Sequence, residues 1–598
     1  MFPLDLFRSF LPLRNPIGFG AADFIELLLA FLLVSFALVS RPWIEPFARR
    51  LAEKTGWCML LLALLPVALR LALLPSHPVP TPDVYDEFGH LFVADTLRHF
   101  RFANPSHSLH QFFETFFILQ EPTYSSIYPI GQGLALALGW MIFGVPWAGV
   151  ILSVAAFCAL CYWMLRAWTT PAWSLLGGLF AVAEFGPLNQ WMNGYWGGSL
   201  AACAGCLVFG ALPRLRSHAR ARDAVWLGLG LALHLLIRPY ESIFLFAAVI
   251  LFFAPVFGRP AELARLGRAA LVTIALAAPA VAITLVQNKQ VTGSWLTLPE
   301  MLSQYQYGVP ASLTFQANPI PHRELTPQQG LEYRAQMSFR ASGPETIASF
   351  LTRLEYRVRF YRFFFLAPLY VALPAFFLAI REFRFAWVAL ALLLFALGVN
   401  FFPAFQFHYV AAVTCLFVLV SVTGLRQLSR LSAEAARIVI FLCAAHFLFW
   451  YSVNLFPGSS VSMALRRYET WDALNQRNPE RRILVREQLA KMPGKLLLFV
   501  RYWPQHIFQD EWVYNAADID HSRIVWARDL GAAEDEKLQR YYPDRSAWLL
   551  EPDATPPKLT PYRPEPPPAP PSATAVSAPA SPSAPKKAPP TLRFEQVR

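Results

Sequence analysis

The chain has 598 residues, of which 55% are hydrophobic and 15% are charged, and its mean hydropathy is +0.38. In a soluble protein about a quarter of the residues are charged, so this composition excludes an ordinary soluble enzyme and indicates an integral membrane protein. In such a protein the formal net charge of +12 is expected in cytoplasmic loops, so it does not indicate nucleic-acid binding and we expect no nucleic-acid partner.

Uncharged apolar runs of roughly 17–20 residues predict membrane-spanning helices along most of the chain. The candidate spans are 20–40, 57–76, 146–166, 172–188, 195–212, 224–237, 240–257, 269–286, 363–380, 385–402, 409–425 and 437–455. The apolar piece 131–144 is too short to cross and is predicted to be re-entrant or interfacial. The predicted fold class is therefore an all-α polytopic membrane protein with about 12 transmembrane helices.

The distribution of basic residues between loops predicts the orientation of the spans. Arginines and lysines concentrate in one set of alternate loops: Arg41, Arg49, Arg50, Lys54, Arg214, Arg216, Arg220, Arg222, Arg259, Arg265, Arg268, Arg381, Arg384, Arg426, Arg430 and Arg437. Of the opposite short loops, 189–194 and 403–408 have no arginine or lysine. The basic set is predicted to be cytoplasmic, so the loops 77–145 and 287–362 and the C-terminal region are expected to be extracytoplasmic.

The C-terminal region departs from the membrane pattern. Short apolar runs at 495–502, 523–530 and 546–552 predict buried strands, and "AAEDEKLQRYY" between the last two predicts a helix in a small βαβ-like unit. The Pro/Ala/Ser-rich end is predicted to be a disordered tail. The expected domains are an N-terminal segment with an extra span (1–56), a transmembrane domain (57–455), an extracytoplasmic α/β accessory domain (456–553) and the tail (554–598).

All seven cysteines lie inside apolar runs, including the pairs Cys158/Cys161 and Cys203/Cys206. Zinc binding requires thiolates, which are costly to place in lipid. We therefore expect the cysteines to be small residues that pack between helices, without a disulfide framework.

A cluster of polar residues follows the second candidate span. The stretch "PDVYDEFGHLFVADTLRHF" contains Asp83, Asp86, Glu87, His90 and Asp95. Pro82 after Thr81 predicts a helix start, and on that helix Asp86 and His90 share a face. Asp86 and Glu87 differ by about 100° around the axis, so both cannot point at one reacting atom. The spacing fits two interpretations equally well. One is a solvated helix whose acids only cap its start, and the other is a catalytic site in which a carboxylate acts as a base.

Further polar residues are expected on the same side of the membrane. Arg238 and Glu241 lie in "RPYES" at the end of one span, and an arginine at a membrane edge usually has a partner. His408 and Tyr409 begin another span, while Glu114 and Tyr128 lie in "FETFFILQEPTYSSIYPIGQG". Aromatic residues alone would form an interfacial belt. Together with acids, a histidine and an arginine, they indicate a site.

This ordered set resembles the lipid-carrier-dependent glycosyltransferases of the C-type fold (GT-C), particularly bacterial members related to aminoarabinose, protein-mannosyl and rhizobial lipopolysaccharide transferases. The stretches that carry the resemblance, over about 80–425, are "YDEFGHLFVADTLRHFRFANP", "FETFFILQEPTYSSIYPIGQG", "RPYES" and "FHY". It does not cover the first span or the C-terminal domain. In the family the essential acid often follows the first span, whereas here it follows the second.

The resemblance implies a polyprenyl-phosphate-linked sugar donor, an acceptor that is a glycan, lipid or protein, and residence in the lipid bilayer of the bacterial inner membrane. It implies that Asp86 is the base, and that Glu87 belongs to the same catalytic pair. The expected substrate-binding residues are Arg238 for the phosphate, together with His408, Tyr409, Glu114, Tyr128 and Glu241. A divalent metal ion is possible but not required, and its candidate ligands are Asp86 and His90.

Two other functions fit parts of the sequence. A transporter or flippase of a lipid-linked substrate would also contain intramembrane charge and broken helices, but would place charged groups at mid-membrane. A non-catalytic cell-envelope assembly protein would be built around the external C-terminal domain.

Overall fold

The computed structural model describes residues 21–339, 345–455, 480–507 and 510–563. The expected tail beyond residue 563 lies outside these ranges. As far as residue 292 the α-helices are α1 (Ala21–Glu53), α2 (Thr55–Ala72), α3 (Tyr85–Arg98), α4 (Ile130–Phe143), α5 (Trp147–Leu165), α6 (Pro171–Phe185), α7 (Ser199–His218), α8 (Ala221–Ile237), α9 (Pro239–Phe253) and α10 (Pro260–Thr292).

The helices of the second half of the bundle are α11 (Pro299–Tyr307), α12 (Pro327–Phe339), α13 (Ile347–Val358), α14 (Phe383–Val399), α15 (Thr414–Leu431) and α16 (Ala433–Leu455). Short 3₁₀ helices are formed by His110–Phe113, Ala254–Val256, Arg359–Phe364, Ala367–Val371, Leu373–Ala379 and Phe407–Val413. The two short strands β1 (Ile118–Leu119) and β2 (Ser125–Ser126) pair in antiparallel fashion in the first outer loop.

Within the described ranges, fewer helices than the expected 12 are long and apolar enough to cross a membrane. Among the described residues seven qualify: Thr55–Ala72, Trp147–Leu165, Ser199–His218, Pro239–Val256, Pro260–Thr292, Phe407–Leu431 and Ala433–Ser452. An eighth is counted if the bent pair Leu28–Phe36 and Val39–Glu53 forms one span. The helices α4, α6 and α14 are apolar but shorter than 18 residues. The membrane class predicted from composition is therefore supported, whereas by these criteria the described residues contain fewer spans than predicted.

The predicted span 363–380 is wrong as a continuous helix. The described chain breaks there into successive 3₁₀ helices, of which two have a proline, Pro368 or Pro374, in their first two positions. A proline lacks the backbone N–H group and its ring clashes with the preceding turn, so Pro368 and Pro374 disfavour a single continuous α-helix here.

The core of the bundle lies around α5, α7 and α15. In the apolar 18-residue stretch of each helix, 72% of the residues are buried in α5 and in α7, and 94% are buried in the span Phe407–Leu431. Close approach at Gly205 helps to build this core, since a Cβ there would lie 1.7 Å from the carbonyl oxygen of Ala412. Small residues at such points let helix backbones touch. All seven cysteines are buried and free, as expected for packing residues.

Basic residues from different loops contact neighbouring segments in two places. Arg265 donates a hydrogen bond to the carbonyl of Arg216 over 2.9 Å, and Arg437 pairs with Glu45 over 3.1 Å. The first outer loop contacts the C-terminal domain, as described below. Both belong to the regions that the distribution of basic residues predicts to be extracytoplasmic.

The C-terminal domain contains the helices α17 (Glu480–Lys491) and α18 (Ala532–Tyr541) and a four-stranded sheet. The strands are β3 (Lys495–Val500), β4 (Ile524–Arg528), β5 (Arg545–Glu551) and β6 (Lys558–Pro561), in the order β4-β3-β5-β6. The strand β3 is parallel to β4 and β5, whereas β6 is antiparallel to β5. The three predicted strands and the helix between the last two are confirmed.

The fourth strand corrects the expected start of the tail at residue 554. It is an edge strand, where a terminal proline costs no ladder hydrogen bond. The ring of the next residue, Tyr562, lies 4.6 Å from that of Phe499 in a tilted arrangement, and its hydroxyl group donates a hydrogen bond to Asp535. These contacts with the sheet and α18 hold a segment whose proline-rich composition predicted disorder.

Candidate active site at the start of helix α3

Glu87 determines where α3 begins. The helix starts at Tyr85, three residues later than the start predicted at Pro82, and extended Val84 precedes it as N-cap. The Glu87 carboxylate accepts backbone N–H groups from Asp83 at 2.9 Å and Val84 at 3.5 Å. Glutamate at this position commonly satisfies N–H groups ahead of the first turn.

The other oxygen of Glu87 accepts the backbone N–H of Tyr195 over 2.9 Å, and the residue is only 2% exposed. Glu87 therefore joins the start of α3 to the loop before α7, and its two oxygens are occupied by backbone donors. This geometry gives it a supporting position rather than one that faces a substrate.

Asp86 and His90 share a face, as predicted, and Tyr128 lies against both. The Tyr128 hydroxyl donates a short hydrogen bond to Asp86 Oδ1, and its ring lies 4.4 Å from that of His90. Gly89 makes this approach possible, because a Cβ there would meet the Tyr128 ring at 2.4 Å. Burial and the negative charge of Asp86 raise the pKa of Tyr128 well above its usual range, so the phenol stays protonated and remains a donor.

Arg238 occupies the break between α8 and α9. Pro239 is the first residue of α9, where its missing N–H group costs no helical hydrogen bond, and Arg238 before it adopts φ −139° and ψ 76°. Its guanidinium lies 5.4 Å from the centre of the Tyr409 ring and 3.8 Å from Glu241, and the side chain is 20% exposed. Among the described residues, Glu241 Oε1 has no hydrogen-bond partner although it is buried.

Electrostatic effects connect Arg238 to α3. Burial lowers the pKa of His90 to about 3, and the positive charge of Arg238 contributes to that shift. Burial also raises the pKa of Tyr85, with further contributions from Asp86 and Tyr409. Packing agrees with this, because Gly131, which follows Tyr128 by three residues, lies against Ile237, and Arg238 lies over the ring of Tyr409. The start of α3, the break between α8 and α9 and the start of the Phe407–Leu431 span therefore lie close together.

His408 lies beside this group, with its ring 5.7 Å from that of Trp196. These two side chains also form walls of a small pocket whose other lining residues are Gln190, Trp191, Asn193, Gly194 and Gly197. The pocket adjoins the loop that Glu87 holds.

Glu114 is not brought into this group. It lies 2.9 Å from Arg323, accepts a hydrogen bond from Gln329 at 3.3 Å and contacts His110 at 3.0 Å. These partners belong to the outer loops, so the geometry indicates a role in loop packing for this carboxylate.

Two further charged residues were not singled out from the sequence. One is influenced by Arg238, and the other lies at the end of α2. Burial raises the pKa of Glu300 in α11, although a hydrogen bond from Ser312 and the charge of Arg238 oppose part of that rise. Arg70, fully buried at the end of α2, donates hydrogen bonds to Asn193 and to the carbonyls of His77 and Pro78. An arginine inside an apolar run was the only sequence signal for Arg70.

The candidate metal ligands do not form a recognisable metal site. Within the described ranges, no group of three or more His, Cys, Asp or Glu residues is arranged to hold a metal ion. Asp86 and His90 alone supply two ligands, fewer than protein metal sites use, so we derive no step through a metal.

No family model matches the sequence, and no curated protein matches it significantly. In structure the chain is similar to ArnT from Cupriavidus metallidurans in the apo state (TM-score 0.48, 12% identity) and bound to undecaprenyl phosphate (TM-score 0.46, 12% identity). Each match covers 83% of this chain and 93% of ArnT. An Archaeoglobus fulgidus oligosaccharyltransferase tethered to an acceptor peptide matches with a TM-score of 0.40 and 14% identity, over 75% of this chain and 62% of that one.

Proposed function

We propose that this protein is a membrane glycosyltransferase that moves a sugar from a polyprenyl-phosphate carrier to an acceptor hydroxyl group. The observation that carries the proposal is the convergence of Asp86, at the start of α3, and Arg238, at the break between α8 and α9. One is a carboxylate and the other a partly exposed cation. Packing brings them together: Tyr128 contacts Asp86, and three residues further on Gly131 packs against Ile237, which immediately precedes Arg238.

Asp86 is the proposed general base. It takes the proton of the acceptor hydroxyl while the acceptor oxygen bonds to the anomeric carbon of the sugar. The bond from that carbon to the phosphate oxygen breaks, and the carrier phosphate leaves with the electron pair. The hydrogen bond from Tyr128 supports this role because it fixes the orientation of the carboxylate.

Arg238 is the proposed partner of the carrier phosphate. A guanidinium presents its N–H groups in a planar fork that matches two phosphate oxygens. As the glycosidic bond breaks, negative charge grows on the phosphate, so a fixed cation there stabilises the transition state. The partial exposure of Arg238 is consistent with a ligand that enters from the membrane edge.

The remaining polar residues fit contacts with sugar hydroxyl groups. Glu241 Oε1 lies 3.8 Å from Arg238 but accepts no hydrogen bond within the described residues, so it is available as an acceptor. His408 and Tyr409 line the same region. Tyr128 acts through Asp86 in this proposal, and Glu87 and Glu114 support the loops around the site. A small pocket lies beside His408.

The proposed location is the bacterial inner membrane, with the site and the C-terminal domain outside the cytoplasm. Support comes from the excess of arginine in loops at the opposite end of the bundle. A lipid-linked phosphate stays at the membrane interface, so its enzyme must provide the base at that depth.

The proposal is tested with the purified full chain in liposomes that contain undecaprenyl-phosphate-linked pentoses or hexoses. Membrane glycans, lipid A and an unstructured peptide serve as acceptors. Transfer of labelled sugar together with release of undecaprenyl phosphate is the expected result. Movement of the intact donor across the bilayer without cleavage would instead identify a flippase and overturn the proposal.

A further inference from the structure

The C-terminal domain contacts α3 through the segment that follows residue 510. The hydroxyl group of Tyr514 donates a hydrogen bond to the carbonyl of Tyr85 over 3.1 Å, and its ring stacks on Phe88 with centroids 4.2 Å apart. Three residues later, the backbone N–H of Ala517 donates to Asp95 over 2.8 Å. The segment therefore holds α3 at its first turn and again near its C-terminal end.

A buried ion-pair network fixes the segment that presents Tyr514. One Glu511 oxygen accepts the N–H groups of Trp512 at 3.0 Å and Val513 at 2.9 Å, and the other accepts Arg528 at 2.8 Å. Arg528 also pairs with Glu332 of α12 over 3.0 Å. All three charged side chains are at most 7% exposed. Hydrogen bonds to buried ions are strong and directional, so the segment has a defined shape.

Arg482 of α17 makes a second connection. It donates to the carbonyl of Glu511 over 2.6 Å, and its guanidinium lies 4.7 Å from the Phe88 ring and 4.4 Å from the Trp512 ring. The ring of Phe88, on the first turn of α3, is thus covered by two residues of the C-terminal domain, Tyr514 and Arg482.

These contacts lie one residue from the proposed base. Tyr85, which accepts the Tyr514 hydrogen bond, immediately precedes Asp86 in the chain. Burial raises the pKa of Tyr514 well above its usual range, and the charges of Glu511 and Asp86 add to that shift. The phenol therefore remains protonated and keeps donating to Tyr85.

We propose that Tyr514 is a positioning residue, through which the C-terminal domain holds the first turn of α3 and hence Asp86 in its reactive place. This inference rests on the proposed function. It assigns the domain a part in the chemistry of the membrane site, because a carboxylate that shifts by a fraction of an ångström loses its alignment with Tyr128 and with the acceptor. The domain reaches the substrate only through α3 in this scheme.

The first test needs no substrate. Hydrogen exchange is measured in the full chain for the amides of residues 87–90, in wild type, Tyr514→Ala and Tyr541→Ala. The control residue Tyr541 lies in the same domain, is 44% exposed and contacts His107 rather than α3. We expect faster exchange in Tyr514→Ala alone. Equal exchange in the three proteins would overturn the proposal.

The second test separates positioning from binding. A positional error costs about 100-fold in rate, so kcat should fall about that much in Tyr514→Ala. Loss of one hydrogen bond should make Tyr514→Phe, which keeps the stacked ring, about tenfold slower at most. The Kd for undecaprenyl phosphate should stay within about twofold. A Kd that weakens as much as kcat falls would overturn the positioning role.

If wild type transfers no sugar from any undecaprenyl-phosphate donor, the proposed function fails, while hydrogen exchange still decides whether Tyr514 fixes the first turn of α3.

Discussion

The hydroxyl group of Tyr128 donates to the carboxylate of Asp86 across a sequence separation of 42 residues. The ring reaches that position because Gly89 has no Cβ, and it packs against His90. One phenol therefore orients the carboxylate and also covers the next turn of the same helix. This relationship makes the behaviour of Asp86 depend on a loop residue ahead of α4.

Asp86→Asn should lower kcat for sugar transfer about 100-fold or more, because it removes the base while keeping size and hydrogen-bonding capacity. Binding of undecaprenyl phosphate should not change. Glu87→Gln is the informative neighbour: its amide group would face a backbone N–H donor, so this variant should lose stability while the folded fraction stays active. An active Asp86→Asn beside an inactive, well-folded Glu87→Gln would move the base by one residue.

Tyr128→Phe should lower kcat by about tenfold, since it removes one hydrogen bond to the carboxylate and keeps the ring against His90. The Km for the donor should change little. Steady-state kinetics in liposomes would measure both quantities. Tyr305→Phe is a suitable control because Tyr305 is 56% exposed. A rise in Km with unchanged kcat would show that Tyr128 binds substrate directly.

Arg238→Ala should weaken the binding of undecaprenyl phosphate by at least tenfold, because a charge-assisted contact is lost. Arg238→Lys should restore only part of the affinity, since the ammonium group has no planar fork. Binding is measured by titration of the protein in nanodiscs, with thermal unfolding as the check on folding. Full affinity in the lysine variant would mean that only the positive charge matters.

Stability should fall in mild acid because of His90. Its pKa is lowered from 6.5 to about 3 in the folded protein, mainly by burial. Below pH 6.5 His90 becomes protonated in the unfolded chain but stays neutral in the folded protein. The free energy of unfolding therefore decreases as pH falls from 6.5 towards 3. His90→Gln should reduce this dependence, as measured by denaturant unfolding in detergent at pH 7 and pH 5. The exposed His218→Gln should not.

Cysteine labelling of intact cells tests the proposed orientation. Introduced cysteines at the exposed positions Glu324 and His521 should react with an impermeant maleimide, whereas one at exposed Arg222 should react only after permeabilisation. The native cysteines are buried and give a low background. The opposite labelling pattern would remove the argument that the site faces outwards.

The features that depend on neighbouring residues were predictable. Apolar runs and a low charge content predicted a membrane protein, and short apolar runs correctly predicted β3, β4 and β5. The segment 363–380 shows the limit of that approach, because its apolar composition predicted a span while Pro368 and Pro374 interrupt the helix. Composition also missed β6, whose neighbour Tyr562 is held by contacts with the rest of the domain.

By itself the sequence determined the class of the protein and the residue types available for chemistry at one end of the bundle, Asp86, Arg238 and His408 among them. Only the tertiary structure decided their partners. Glu87 and Asp86 are adjacent acids, yet their partners differ. Glu87 accepts hydrogen bonds from backbone N–H groups up to 108 residues away, while Asp86 accepts a hydrogen bond from the Tyr128 hydroxyl group. Tyr514 reaches Tyr85 across 429 residues. Helical periodicity specifies which face a side chain occupies, but contacts between distant segments depend on how the whole bundle and the C-terminal domain pack.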